Sequence, residues 1–273
     1  MAETPVNPVK TAQAAPTPPV DTTPPLTKFR ATIQGDSKRG NSGNNVFTTD
    51  SLRSIIETVA MFNDAVTFLI DNEGIRTKVL DKARIALLDA MLPESVFANF
   101  EAHGVGYVTV DAKSLLAVLR RAKSKSVELR FEEGQLIVGI GGVRSFRIRT
   151  LEASEEEAPE PKTVHAASAV IDTELFKEAL IDAKVMKADT IKLLAENGVL
   201  LFRALNETKG VEVRLGPAEG SASSTYTLDY LVKAAKAFGD GVVKVKFGNN
   251  TALELSTAFN EGYIRVYIAP RIE

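Results

Sequence analysis

The chain has 273 residues, 44% apolar and 25% charged, which is ordinary for a soluble globular protein and long enough for one large or two modest cores. A formal net charge of −2 argues against a surface that is basic all over, so any nucleic-acid contact must come from locally segregated charge. There is no cysteine, which excludes disulfide frameworks, thiolate zinc sites and thiol catalysis, and no apolar run near the roughly 20 residues a membrane-spanning helix needs.

In chain order, residues 1–25 are rich in Pro, Thr and Ala and lack a hydrophobic signal core, so they read as a disordered tail. A polar loop runs from Gly35 to Asn45. Asp50 then opens a predicted helix whose apolar stripe is Leu52, Ile55, Ile56 and Val59, with Arg53 off the stripe. Residues Ala65 to Ile75 alternate around an Asn/Glu/Gly turn and predict two short strands. Thr109 to Phe131 reads as a strand, an N-capping Asp111, an amphipathic helix and a second strand. In that helix Leu115, Leu116, Leu119 and Ala122 face the core, while Lys113 and Arg120 share the opposite side. The Gly139 to Gly142 run lies between two strands, so it reads as a hairpin turn and not a phosphate loop.

The second half repeats this pattern. Asp172 opens a helix burying Leu175, Phe176, Ala179 and Ala183, with Lys177, Lys184 and Lys187 near one solvent-facing strip. Asp189 to Val199 matches the first hairpin, and Thr227 to Phe247 matches Thr109 to Phe131, with Asp229 as its expected cap. The last helix buries Leu231, Ala234, Ala235 and Phe238 and leaves Lys233 and Lys236 outside. Ser145 to Leu151 and Tyr263 to Ala269 end the halves alike. Each half therefore predicts strand, helix, three strands, helix, three strands, an α+β fold used twice over residues 26–150 and 167–273. Residues 151–166 are acidic, carry two prolines and suit an extended connector.

A lysine on a solvated helix face is ordinary by itself. Four equivalent helices that all present cations, on a chain whose acids cluster elsewhere, fit a surface that meets phosphates without reading bases. No helix-turn-helix, zinc finger or RNA-binding signature accompanies it. An enzyme is the first rival reading. The two histidines, His103 and His165, sit near no nucleophile or carboxylate constellation, so no catalytic residue and no cofactor is assigned. The run Glu155 to Glu157 is the one candidate metal ligand set, read as solvated, so no metal is assigned.

The duplication, with a helix pair in each half, resembles PCNA, the archaeal and eukaryotic sliding clamp. Asp81 to Pro93 (DKARIALLDAMLP), Thr227 to Leu231 (TLDYL) and Tyr267 to Glu273 (YIAPRIE) carry the resemblance, which spans Phe29 to Glu273. It implies a trimeric ring around double-stranded DNA, with the helices lining the hole, placed in the nucleoid or cytoplasm of an archaeon or the nucleus of a eukaryote. The DNA-facing set would be Arg53, Lys113, Arg120, Lys177, Lys184, Lys187, Lys233 and Lys236. It also implies a groove under the connector for short hydrophobic motifs of DNA polymerase, clamp loader, ligase and flap nuclease. Arg84, Ile85, Leu87, Leu151, Val164, Tyr267, Ile268, Ala269 and Pro270 would build it. The subunit interface would join Arg144, Phe146, Arg147, Ile148 and Arg149 of one copy to Val211, Glu212, Val213, Arg214 and Leu215 of the next. The sequence departs from the family in its acidic connector, in Thr251-Ala252 where a proline is frequent, and in the long Gly35 to Asn45 loop. A specialised subunit of a heterotrimeric or checkpoint-type ring is the second rival reading.

Overall fold

A computed structural model of the chain describes residues 24–35, 47–123, 125–152, 158, 161 and 163–272. The expected tail up to residue 23, all of the Gly35 to Asn45 loop beyond its first residue, and the Glu155 to Glu157 run lie outside the described residues.

The first half runs β1 (Lys28–Ile33), α1 (Thr49–Phe62), β2 (Ala65–Asp71), β3 (Gly74–Leu80), β4 (Ala86–Pro93), a 3-10 turn (Glu94–Val96), β5 (Asn99–His103), β6 (Gly106–Asp111), α2 (Ala112–Leu119), β7 (Val127–Glu132), β8 (Gln135–Ile140) and β9 (Arg144–Arg149). The second half runs β10 (Ala167–Asp172), α3 (Thr173–Val185), β11 (Thr190–Glu196), β12 (Val199–Leu205), β13 (Gly210–Gly220), β14 (Ala222–Thr227), α4 (Leu228–Ala235), β15 (Val242–Phe247), β16 (Leu253–Phe259) and β17 (Gly262–Ile268).

The helices form where apolar residues recur at helical spacing, and their starts follow local capping chemistry. Asp111 and Asp172 cap α2 and α3, accepting from the backbone N–H of Ser114 at 2.7 Å and of Leu175 at 2.8 Å. The other two expected caps are corrected. Helix α1 starts before Asp50, because Thr48 and Ser51 cap each other's backbone, and α4 starts after Thr227, leaving Asp50 and Asp229 in first turns. In α3 Leu180 is buried and Leu175 only half-buried, since the stripe facing the sheet is Phe176, Ala179, Leu180 and Ala183.

Among the described residues the named strands all pair antiparallel, and strands β5-β1-β7-β8-β9 form one sheet. The other follows the order β14-β11-β12-β13-β10-β15-β16-β17-β4-β3-β2-β6 and joins the halves through β17 and β4, from Tyr263 opposite Met91 to Ile268 opposite Ala86. Between α3 and α4 the chain makes four strands where the sequence predicted three. Within the large sheet β13 changes partner, pairing first with β12 and then, at Ala218 to Gly220, with β10. The change occurs at a register shift beside Gly216, whose φ of 150° is open to glycine and strained for a side chain. The first half makes the same crossing in two pieces, β4 on β3 and β5 on β1, separated by the 3-10 turn. Gly141 and Gly142 sit at φ 59° and 71° in the turn between β8 and β9, as the hairpin reading expected.

The helices pack as a row in the order α2, α1, α4, α3. At the middle of the row α1 and α4 meet over the β4–β17 pair, and Thr58 Oγ1 lies 3.4 Å from the Lys233 carbonyl. The row ends at α2, beside β9, and at α3, beside β13.

Candidate nucleic-acid interface and partner groove

Every cation expected on the helix layer is on or just past one of the four helices, but most are held by acids of the same layer. Arg53 pairs with Asp50, and Lys233 pairs with Asp229 at 2.6 Å with its ammonium over the Tyr230 ring. Asp64 holds Lys82 and, at 3.2 Å, Lys113, and its carboxyl is lowered by both lysines. Glu57 on α1 binds Arg120 of α2 at 3.3 Å and Lys236 of α4 at 3.1 Å. Burial pushes the Glu57 carboxyl up, but Lys236 and then Arg120 outweigh it and the net shift is downward. Lys184 and Lys187 are exposed.

Lys177 does not lie on an open strip. It is half-buried, donates its Nζ to the Phe238 carbonyl at 2.8 Å just past α4, and burial lowers its pKa. In its place stands a basic cluster of which the helix-face reading had only Arg120. Arg120, Arg121, Lys123, Lys125 and Arg144 line a cleft of about 380 Å³ beyond the end of α2. The signal was the run Arg120 to Lys125, which continues past the last helical turn and so escapes a search for helix faces.

Two open edges flank the row. β9 is the last strand of its sheet, with Phe146 and Ile148 half-buried toward the core and Arg147 and Arg149 exposed. In β13 the stretch Val211 to Leu215 pairs only with β12 among the described residues. Its Val211, Val213 and Leu215 turn toward the core, and its Glu212 and Arg214 are exposed, with Glu212 ion-paired to Arg203.

On the outer face of the large sheet, one cross-strand row reads Lys246, Glu254, Tyr267, Leu87 and Leu80. The turn Asp81 to Ile85 sits at its end, with Arg84 exposed at φ 60° and Ile85 half-buried, accepting from the Ala269 N–H at 2.8 Å. Arg271 continues the C-terminal segment by donating to Thr225 at 2.8 Å, and Ala269 and Pro270 stay half-buried. The structure therefore brings Arg84, Ile85, Leu87, Tyr267, Ala269 and Pro270 together. Ile268 is excluded: alternation turns it to the inner face opposite Ala86, and it is wholly buried. Leu151 is excluded as well, because it bridges to Thr109 on β6, three strands and about 14 Å from β4.

Val164 is exposed and anchored through its backbone. Thr251 accepts from Gly248 N–H at 2.8 Å and lies 3.2 Å from the Val164 carbonyl, and Tyr226 donates to the Thr251 carbonyl at 3.0 Å. Burial pushes the Tyr226 hydroxyl up to about 12, so it stays a donor throughout the physiological range. Next to it His165 Nε2 is 3.6 Å from the buried Glu254 carboxylate, yet burial wins over that attraction and lowers the imidazole pKa. Leu80 and Glu254 thus belong to this face and were not singled out from sequence, and they are joined there by Thr251, named as a departure from the family, and His165, weighed only as a catalytic candidate.

No family model matches the chain. A DNA polymerase sliding clamp of Pyrococcus horikoshii is 30% identical over 234 residues, covering 80% of this chain and 94% of that protein. One from Thermococcus sibiricus is 32% identical over 235 residues with the same coverage. The chain belongs to the DNA polymerase sliding clamp family. Among solved structures, PCNA from Thermococcus kodakaraensis superposes with a TM-score of 0.78 at 27% identity, over 89% of this chain and all of that one. A PCNA2–PCNA3 complex from Sulfolobus tokodaii gives the same TM-score at 25% identity and the same coverage of this chain.

In this clamp the Glu57 bridge ties three helices and both halves, so its loss has a readable cost. Glu57→Gln is expected to lower stability by about 0.5–1 kcal/mol at pH 7, the scale of partly exposed ion pairs. A carboxyl whose folded pKa is depressed stabilises above its unfolded value and loses that contribution as pH falls through the folded value. The gap between wild type and Glu57→Gln in urea denaturation should therefore close on acidification below about pH 4.5.

Proposed function

We propose that the chain is a sliding clamp subunit, with clamp units at residues 26–150 and 167–273, that encircles duplex DNA as a trimeric ring and tethers DNA polymerase and other replication and repair enzymes. The observation that carries this is the helix row backed by the two sheets and ending, among the described residues, at the open side of β9 and at the Val211 to Leu215 stretch of β13. Such a unit buries its own middle junction and leaves two complementary ends, the requirement for a heterologous contact that closes by rotation. The ring acts as a scaffold without chemistry of its own. Partner segments with large apolar side chains would dock on the Leu87–Tyr267 row, bounded by Arg84, Ile85, Ala269 and Pro270.

Cations already balanced by Glu57, Asp64 and Asp229 suit sliding, because only a few charges remain to grip phosphates and each contact stays weak. The test is retention on closed circular against linear duplex. Wild type is expected to stay on circles and run off linear ends. Changing Lys184, Lys187 and Lys236 together to alanine should shorten residence on circles several-fold and flatten its salt dependence. Equal retention on circles and linear duplex would overturn the ring.

A further inference from the structure

We propose that Glu254, backed by His165, is a specificity element of the partner face: it selects partner segments whose aromatic ring carries a neutral hydrogen-bond donor, a phenol O–H or an indole N–H, over phenylalanine. This rests on the groove reading above and names the kind of side chain that the row accepts.

Glu254 stands on β16 between Leu253 and Leu255, which are wholly buried in the core, so alternation turns it to the outer face of the large sheet. An outward acid on a strand is normally solvated. This one is only 6% exposed, ringed by Lys246 on β15, Tyr267 on β17 and His165 from the end of the connector. Its oxygens are not equivalent. Oε1 accepts from Lys246 Nζ at 3.2 Å and from the Ser256 hydroxyl at 3.3 Å. Oε2 has no hydrogen bond among the described residues, and its ion-pair neighbour is His165 Nε2 at 3.6 Å. That separation is too long for a hydrogen bond, and Nε2 is itself buried without a partner. A carboxylate oxygen and an imidazole nitrogen are therefore set side by side with bonding capacity unused.

The imidazole is held in this place by its backbone. Thr251 donates to the Val164 carbonyl at 3.2 Å and the Ala166 N–H donates to the Phe247 carbonyl at 2.9 Å, so the chain is tied on both sides of His165. Burial favours the neutral ring, so His165 does not satisfy Oε2 as a cation.

Glu254 faces Tyr267 as Tyr267 faces Leu87, and cross-strand neighbours of this kind stand about 5 Å apart. A ring lying over Leu87 and Tyr267 therefore brings its far edge to Oε2. The chemistry of that edge decides what is accepted. A cationic edge meets Lys246, and an anionic edge meets the carboxylate. Phenylalanine displaces water from Oε2 and leaves a buried acceptor unpaired. A phenol or an indole places an uncharged donor there, completes the carboxylate and keeps its apolar body on the row. A site built to bond a hydroxyl rejects the analogue lacking it for the same reason.

The test is calorimetry of the full chain with a synthetic peptide carrying an aliphatic and two aromatic side chains, enough to cover Leu80, Leu87 and Tyr267. Each aromatic position is varied in turn among tyrosine, tryptophan, phenylalanine and O-methyltyrosine. At one of these positions tyrosine and tryptophan are expected to bind about tenfold tighter than phenylalanine and O-methyltyrosine. Glu254→Val should bring all four to within about twofold of one another, with circular dichroism reporting the fold. His165→Ala opens Oε2 to water and should cut the preference to about threefold. Equal binding of the tyrosine and phenylalanine peptides at both positions overturns the specificity element and leaves the groove standing. A preference that survives in Glu254→Val overturns it too, by placing the acceptor elsewhere, and a full preference in His165→Ala overturns the part given to the imidazole. If Glu254→Val does not fold, O-methyltyrosine against tyrosine on the wild-type chain decides the same question. No measurable binding of any of these peptides overturns the groove reading itself.

Discussion

Replacing Phe146 with glutamate is expected to give a folded monomer that circular DNA no longer retains. Phe146 lies on the open strand β9, half-buried against its own core. Taking a phenylalanine from a sealed junction loses about 1.5–3 kcal/mol of apolar burial, and a carboxylate left there without a partner adds the cost of its desolvation. Together these weaken each junction by a factor on the order of a thousand or more, and a ring needs every junction closed. Val211→Glu attacks the same contact from the β13 side and should match it. Light scattering reads the mass and circular dichroism the fold. A trimer with either substitution would show that the junction lies on other strands.

Asp81→Ala is expected to be the most damaging single change to stability and to abolish partner-peptide docking. Asp81 is 6% exposed and its carboxylate accepts from the backbone N–H groups of Ala83 at 2.9 Å, Ile85 at 2.5 Å and Ala86 at 2.7 Å. It also accepts from the Tyr230 hydroxyl of α4 at 3.0 Å, across the junction of the halves. Alanine leaves several buried donors without an acceptor, and each such group costs about 1–3 kcal/mol, so a total loss of about 3–5 kcal/mol is expected. Tyr230→Phe removes one of these bonds and should cost about 1 kcal/mol. The urea midpoints of the two variants check the ratio. The same turn holds Arg84 and Ile85 at the groove, so calorimetry with an apolar peptide should show binding lost in Asp81→Ala while Tyr230→Phe still binds. Asp81→Ala with wild-type stability would mean that water or rearranged backbone satisfies those donors.

Much of this was legible in the sequence because it is local. Helical spacing marks all four helices, alternation marks the strands, and the repeat shows that one unit is used twice. The cations Lys184, Lys187, Arg120 and Lys236 could be placed on solvent faces from their offset to the apolar stripe. Tyr267 and Ile268 were both placed in the groove, although alternation sets neighbours in a strand on opposite faces, and it does not say which of the two faces outward. That depends on which side of β17 the helices cover, and β17 acquires sides only once β4 and β16 pair with it.

What only the tertiary structure decided involves partners far apart in the chain. Glu57 and Lys236 are 179 residues apart, and nothing in either helix announces that one carboxylate will neutralise cations from two others. Lys177 has the spacing of an exposed lysine and is drawn instead to the carbonyl left at the end of α4. Leu151 follows a strand that ends near the connector, yet the sheet order sets it beside β6 and away from the groove. Periodicity records how a residue faces its own element. Which element lies opposite, and whether a charge there is already matched, is fixed only when strands of both halves share one sheet.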